Sequence, residues 1–398
     1  MARRADQSQR YRLMNDISVA HIESAVRLYK VASWRGVRVL AWERGVLYAG
    51  RGYEIVRLKI PSKDAALRTP EVQWQPMALC RPVWWRNLTS RNRLTYRLVR
   101  DGFHALAILR ATGDARKADD DPALIAAIPG AIVTKIAGSD EFRVTHRVQH
   151  GTRPLHITVV PNGTVYWGEY FGNRERAEVH IYASADRGES WQVAYTFPAG
   201  AIRHVHNIVF DSYGDCLWIL TGDEGAECKI LRASPDLHSI ETVVSGNQQA
   251  RAAAAIPMPD GLYFSTDTPF ERNHLLRLDR RGNLQRLAEI SSSSIFGCRV
   301  GEALFFSTMV EPSTANYTCE VQLVGSSDRK DWQVLARWRR DKWPEHYFQY
   351  GNAFLPGGHN ATNYLAATTI AVEHEDLVTS LWEVESSAAA LPQRLPTP

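Results

Sequence analysis

Apolar and polar positions recur along the chain in one order. An apolar run leads through a tight turn into an aromatic-rich run in "LHITVVPNGTVYWGEY", "HNIVFDSYGDCLWILTGD", "AAAAIPMPDGLYFSTD" and "IFGCRVGEALFFST". The turns "PNGT", "YGDC", "PDGL" and "VGEA" carry the Gly or Asp that hairpins need. After three of these pairs comes a second shared pattern: "VHIYASADRGESWQVAYTF", "CKILRASPDLHSIETVV" and "VQLVGSSDRKDWQVLARW". Each reads as a strand, a Ser-x-Asp turn and another strand. One unit is therefore four strands: apolar inner, aromatic, alternating and outer.

The units fall at about 33–75, 92–147, 153–199, 203–245, 248–290, 292–336 and 340–385, a period of roughly 45 residues. Units of this size and number predict an all-β fold, a seven-bladed β-propeller of four-stranded antiparallel blades. The last unit lacks an outer strand. "AVRLYKVAS", residues 25–33, is expected to supply it from the N-terminus and close the ring, because an open ring leaves bare sheet edges. The expected organisation is an N-terminal extension at 1–24, a single propeller domain at 25–385 and a loose tail at 386–398. The polar segment "ATGDARKADDDPAL" reads as an insertion in the second unit.

At 44% hydrophobic and 23% charged, the chain of 398 residues can build a core, and global disorder is excluded. A net charge of +4 with scattered basic residues argues against a nucleic-acid partner. The five cysteines are odd in number and include no C-x-x-C pair, which excludes a disulfide framework or a structural zinc cluster. No apolar run is long enough to span a membrane. The start lacks the apolar segment of a signal peptide, so the expected location is cytoplasmic, or extracellular or periplasmic if the start is truncated.

The stretch "SADRGESW" has the form S-x-D-x-G-x-[ST]-W, met by Ser184, Asp186, Gly188, Ser190 and Trp191. It resembles the Asp-box, or BNR repeat, of sialidase-like β-propellers. Ser234/Asp236 and Ser326/Asp328 are shorter copies without the Gly. The box is a folding device. Asp186 is expected to accept N–H bonds across the turn, Gly188 to supply positive φ, and Trp191 to drop into the core beside its hairpin partner. True sialidases carry a Phe/Tyr-Arg-Ile-Pro motif, an arginine triad and a Tyr–Glu pair. No Arg-Ile-Pro occurs here, so the resemblance implies the fold and the box but no catalytic residues.

In such a blade the turns between strands 1–2 and 3–4 share one face. The 2–3 loops and the links between blades share the other, where function is expected. The links bring Arg153, His156, Arg203, His204, His206 and Arg251, with His156, His206 and Arg251 expected at the central channel. The 2–3 loops bring Glu169, Tyr170, Arg174, Glu178, Asp223, Glu224, Glu227, Asp267 and Arg272, and the seventh unit adds His346, Tyr347 and Tyr350. Three chemistries use these residue types. Paired carboxylates among Glu169, Asp223, Glu224 and Glu227 suit glycoside hydrolysis. A Tyr/His/Arg set suits β-elimination on uronate-containing glycans, as in polysaccharide lyases on seven-bladed propellers that this set resembles. A scaffold that binds glycan or protein needs no proton transfer.

The expected function is a sialidase-like, carbohydrate-active protein that cleaves a glycan in glycoside-hydrolase fashion, with lyase and binding scaffold as alternatives. The expected catalytic residues are His206, His156, Tyr170, Glu169, Asp223 and Tyr350. The expected substrate-binding residues are Arg174, Arg203, His204, Arg251, Glu178, Glu224, Arg299 and Tyr347. The expected partner is an oligosaccharide or polysaccharide, and no cofactor is expected. If a divalent metal bound, His156, His204 and His206 would hold it, because residues i and i+2 of a strand face the same way.

Overall fold

The computed structural model describes residues 26–60, 73–81, 84–90, 92–99, 101–109, 121–316 and 318–386. The expected extension at 1–24, nearly all of the tail and most of the polar insertion lie outside these residues. The insertion's last two residues instead open the strand Ala123–Ile128.

Seven sheets, antiparallel but for one strand added to blade 1, form a ring, a seven-bladed β-propeller. Blades 1 to 6 span residues 38–79, 105–147, 158–197, 205–245, 252–290 and 294–339. Blade 7 is built from Asn352–Phe354, Tyr364–Ile370 and Val378–Ser386, with the N-terminal strand Val26–Arg35 outside them. Second strands such as Cys216–Thr221, Gly261–Thr266 and Ala303–Thr308 are buried along their whole length, because a neighbouring blade covers each face. Outer strands such as Leu284–Ile290 are mostly exposed. The core is a series of layers between blades. Trp218 and Leu220 of blade 4, for example, pack with Leu262 and Phe264 of blade 5.

The ring is closed twice. Val26–Arg35 pairs antiparallel with Val378–Ser386, as the sequence predicts. A second closure has no sequence signal: Gly357–Asn360 crosses to blade 1 and pairs parallel with its inner strand Arg38–Arg44. Gly358 must be glycine there, since its φ is +83° and a Cβ would lie 2.2 Å from the Trp42 carbonyl oxygen. The second unit also differs from expectation. Residues 92–99 are not strand. The short helices Trp84–Thr89 and Arg93–Val99 bridge blades 1 and 2, and the blade begins at Ala105. Fully buried Arg97 fixes the second helix against the blade 6–7 link, pairing with Asp341 and Asp376 and donating to the Phe348 carbonyl at 2.9 Å.

The Ser-x-Asp turns behave as their chemistry requires. Asp186 Oδ1 accepts from the N–H groups of Glu189 (3.1 Å) and Ser190 (2.9 Å), and Ser184 Oγ accepts from the Gly188 N–H at 2.8 Å. Burial alone would raise the Asp186 pKa, but hydrogen bonds from Ser190, Ser184 and Glu189 outweigh it and bring the value to about 2. Asp328 accepts from two turn N–H groups in the same way. In blade 5, Asp279 accepts from Arg281 and Asn283 without a preceding Ser, so the motif missed it. Trp191 departs from expectation. It is half-buried, edge-on to Trp167, and donates to Thr145 of blade 2 at 3.3 Å, so it ties two blades together.

Asp211, at the 1–2 turn of blade 4, is fully buried. It pairs with Arg280 of blade 5 and accepts from Trp218 Nε1 (2.9 Å) and the Tyr213 N–H (3.0 Å). Burial would raise its pKa, but these bonds hold it below the usual carboxylate range. Asp211→Ala should cost about 2–4 kcal/mol, because it takes the ion pair from a half-buried guanidinium and the acceptor from a buried indole N–H. Urea unfolding checks this. A depressed folded-state pKa stabilises above the unfolded value near 4, so the wild-type advantage should fade as pH falls below about 4.

Candidate functional site

The face opposite the Ser-x-Asp turns carries the links and 2–3 loops, as the strand order dictates. Here blades 3, 4, 5 and 6 bring together one cluster. His204 comes from the link into blade 4 and His206 from the start of its inner strand Val205–Asp211. A β-bulge falls at His206, since Val205 pairs with Thr221 while Asn207 pairs with Leu220. The imidazole at the bulge turns into the cluster, toward His204 and the Ala252 carbonyl. The matching bulge residues in blades 1, 5 and 6 are Leu40, Ala253 and Ile295, so a histidine here departs from an apolar pattern.

Asp223 is the hub. Its Oδ1 lies 3.3 Å from His204 Nε2, 3.2 Å from His206 Nε2 and 3.3 Å from Arg251, and its Oδ2 lies 3.1 Å from Arg203. Burial opposes its charge, but its contacts with His204 and His206 hold its pKa far below the usual range. Arg251 also reaches Asp267 at 3.8 Å. Burial raises Asp267 to about 8; Arg251 pulls it down, while Glu311 and Asp223 push it up, so it is protonated at neutral pH. The two carboxyls at Arg251 thus hold opposite protonation states. Burial lowers the pKa of His206 despite Asp223, and takes His156 to about 4 with help from His206. The Tyr170 ring lies 4.3 Å from the His204 ring, and burial, with Asp267 and Asp223, keeps its hydroxyl protonated. Among the described residues, the Nε atoms of Arg203 and Arg251 are buried without an acceptor.

A central channel of about 920 Å³ runs through the ring. His156 lines it with Arg38, His104 and Asn207, whereas His206 and Arg251 are turned into the cluster beside it, contrary to the expectation that all three reach the channel.

Several other expected residues fall elsewhere. Glu169 is buried and tied to His150 (2.9 Å) and the His180 N–H (2.8 Å), a packing role that leaves it no room to act as nucleophile. Glu224 sits at the rim, 3.7 Å from Arg203 and 3.6 Å from Arg176. Arg174 and Glu178 are exposed, and Arg176 between them makes the ion pairs, to Glu224 and Glu227. Arg299 lies at the opposite end of the channel, bonded to Tyr213 at 2.8 Å, because it ends its inner strand rather than beginning it. Tyr347 and Tyr350 are on the blade 6–7 link, three blades round the ring from His204. The sequence reading also passed over Arg38, His104, Arg176, Ser293 and Glu311. Arg38 and His104 were signalled by their place at the start of inner strands, where blade 4 has His206.

All five cysteines are free, and no helix among the described residues is long and apolar enough to cross a membrane. No protein-family model and no curated protein matches the chain. Solved structures match in fold. The WD40 β-propeller domain of Doa1 aligns at 10% identity and a TM-score of 0.52, covering 90% of this chain and 97% of that one. A chain of the mitotic checkpoint complex aligns at 9% identity and 0.52, covering 90% and 95%. The chain is a β-propeller, and the sialidase-like resemblance of its Asp-box finds no family match beyond that.

Proposed function

We propose that the chain binds an acidic glycan at the loop-face mouth and cleaves it by β-elimination. The observation that carries this reading is the convergence of Arg203 and Arg251 with Tyr170 and the histidines, at a mouth whose expected carboxylates are already engaged. Glu169 is sealed in, Glu227 is held by Arg176, and Asp223 is clamped by two arginines and two histidines. A hydrolase needs one carboxylate free as nucleophile or base. A lyase needs instead a cation on the substrate carboxylate, a base and an acid.

The roles follow from chemistry. Arg203 and Arg251 hold the uronate carboxylate and stabilise the charge that develops when the α-proton leaves. His156, neutral in the channel wall, takes that proton from C5. The electron pair forms the C4=C5 bond and the C4–O bond breaks. Tyr170 donates its proton to the departing oxygen, and solvent returns both groups to their starting states. No water is consumed.

Product analysis tests this. A panel of uronate-containing and neutral glycans is incubated with the protein and the fragments are weighed by mass spectrometry. The expected fragments include one that is a water lighter than a hydrolysis fragment and absorbs in the ultraviolet through its new double bond. Fragments of full hydrolytic mass would overturn the lyase reading and turn attention to Asp267. Glycans that bind and stay intact would make the ring a scaffold.

A further inference from the structure

We infer that His204, His206 and Asp223 form a site for a divalent transition-metal ion. The two Nε2 atoms are 2.9 Å apart and lie 3.3 and 3.2 Å from Asp223 Oδ1. Ligands on one face of an ion, each about 2.1 Å from it, are about 3.0–3.4 Å from one another. The triangle therefore matches a facial two-histidine, one-carboxylate set. Among the described residues these are the His, Cys, Asp or Glu side chains whose donor atoms gather closely enough. Asp223 stands as the third ligand, where His156 was expected.

The tautomers provide a second, independent reason. His204 Nδ1 is 2.8 Å from the Phe171 carbonyl oxygen and His206 Nδ1 is 3.0 Å from that of Ala252. Carbonyls only accept, so each Nδ1 carries hydrogen, and Nε2 is the atom each ring turns toward the other and toward Asp223. Backbone carbonyls on the far nitrogen are how metal-binding imidazoles are oriented.

The donor set names the class of ion. Two nitrogens and one oxygen suit Zn²⁺ and its first-row neighbours, whereas Ca²⁺ and Mg²⁺ favour shells of oxygen. Arg203 engages Asp223 Oδ2, while Oδ1, with Arg251 3.3 Å away, is the oxygen turned toward both imidazoles. With two arginines close by, a dication makes the cluster strongly positive. Its open positions would take an anionic group such as a carboxylate.

The site is tested without any glycan, so its failure and that of the lyase reading are separable. The full-length chain is treated with chelator and dialysed against Zn²⁺, and bound metal is measured by elemental analysis. Co²⁺ serves as an optical probe. We expect about one Zn²⁺ per chain and visible Co²⁺ bands of low-coordinate N/O ligation. Asp223→Asn and His204→Gln should each weaken Zn²⁺ binding at least 100-fold, while exposed Arg174→Ala binds as wild type. Thermal melting confirms that each variant is folded. If His204→Gln does not fold, Asp223→Asn decides. No Zn²⁺ uptake by the wild type would overturn the site, leaving a proton shared between the imidazoles. So would wild-type affinity in a folded Asp223→Asn variant.

Discussion

A chain that begins at residue 37 is expected to aggregate. The strand it loses, Val26–Arg35, pairs residue by residue with Val378–Ser386, with one irregularity at Lys30/Ala32. Without it, Val378–Ser386 becomes the open edge of blade 7, with unpaired backbone groups along its length. The side chains matter as much. Val26 and Leu28 pack into the layer between blades 6 and 7, while Ala32 and Trp34 pack into the layer between blades 7 and 1. Trp34 meets Trp74 of blade 1 edge-on at 5.4 Å. One strand thus supports two inter-blade layers, with Val26 buried and Leu28 and Trp34 half-buried, where full burial of such a side chain is worth about 1.5–3 kcal/mol. Their combined loss approaches the whole stability of a domain, about 5–15 kcal/mol. Size-exclusion chromatography and circular-dichroism melting check this. A monomeric, cooperatively melting truncation would mean that Gly357–Asn360 closes the ring alone.

Tyr170→Phe should lower kcat on an acidic glycan by about 10²–10⁴-fold with little change in KM. The substitution removes one oxygen and keeps the ring that packs at a tilt against His204, so folding and substrate placement should survive. What it removes is the proton for the leaving oxygen. At roughly 1.4 kcal/mol per factor of ten, the loss is about 3–5 kcal/mol of transition-state stabilisation. Steady-state kinetics, with melting curves alongside, separate this from a structural defect. If kcat holds, Tyr170 is not the acid, and protonated Asp267, on the far side of Arg251, is the next group to replace.

The fold was legible because its information is repeated. The apolar run, the tight turn and the Ser-x-Asp turn recur, and an error in one unit is corrected by its neighbours. The missing outer strand of the seventh unit pointed to residues near 26 for the same reason. Features that occur once were not legible. "GGHN" has no strand pattern, yet its backbone pairs with blade 1. The helices at 84–99 interrupt the repeat and are held by buried Arg97, whose partners lie in the blade 6–7 link and in a turn of blade 7. In the site, His204, His206, Arg203, Arg251, Asp223 and Tyr170 were readable because link and loop positions follow from strand order. The direction of His206 was not, because it depends on a bulge that period-two reasoning does not contain. Arg299 could have been excluded: it stands just before the "VGEA" turn, and so exits on the far face.

The double closure also bears on how the protein is made. Hydrogen bonds between the N-terminal strand and blade 7 join residues as far as 356 positions apart in the chain. A ribosome that adds about 5–20 residues per second needs roughly 20–70 s to deliver the partner strand. Through that interval Val26–Arg35 is a finished strand with no sheet to join. Blades 1 to 6 can form in order as they emerge, but the ring cannot lock until the last blade is out. Contacts of such separation slow folding and prolong the exposure of unpaired edges. The first strand of the ring to be made is thus the last to find its place, and the protein's yield in cells should depend on what shields that strand meanwhile.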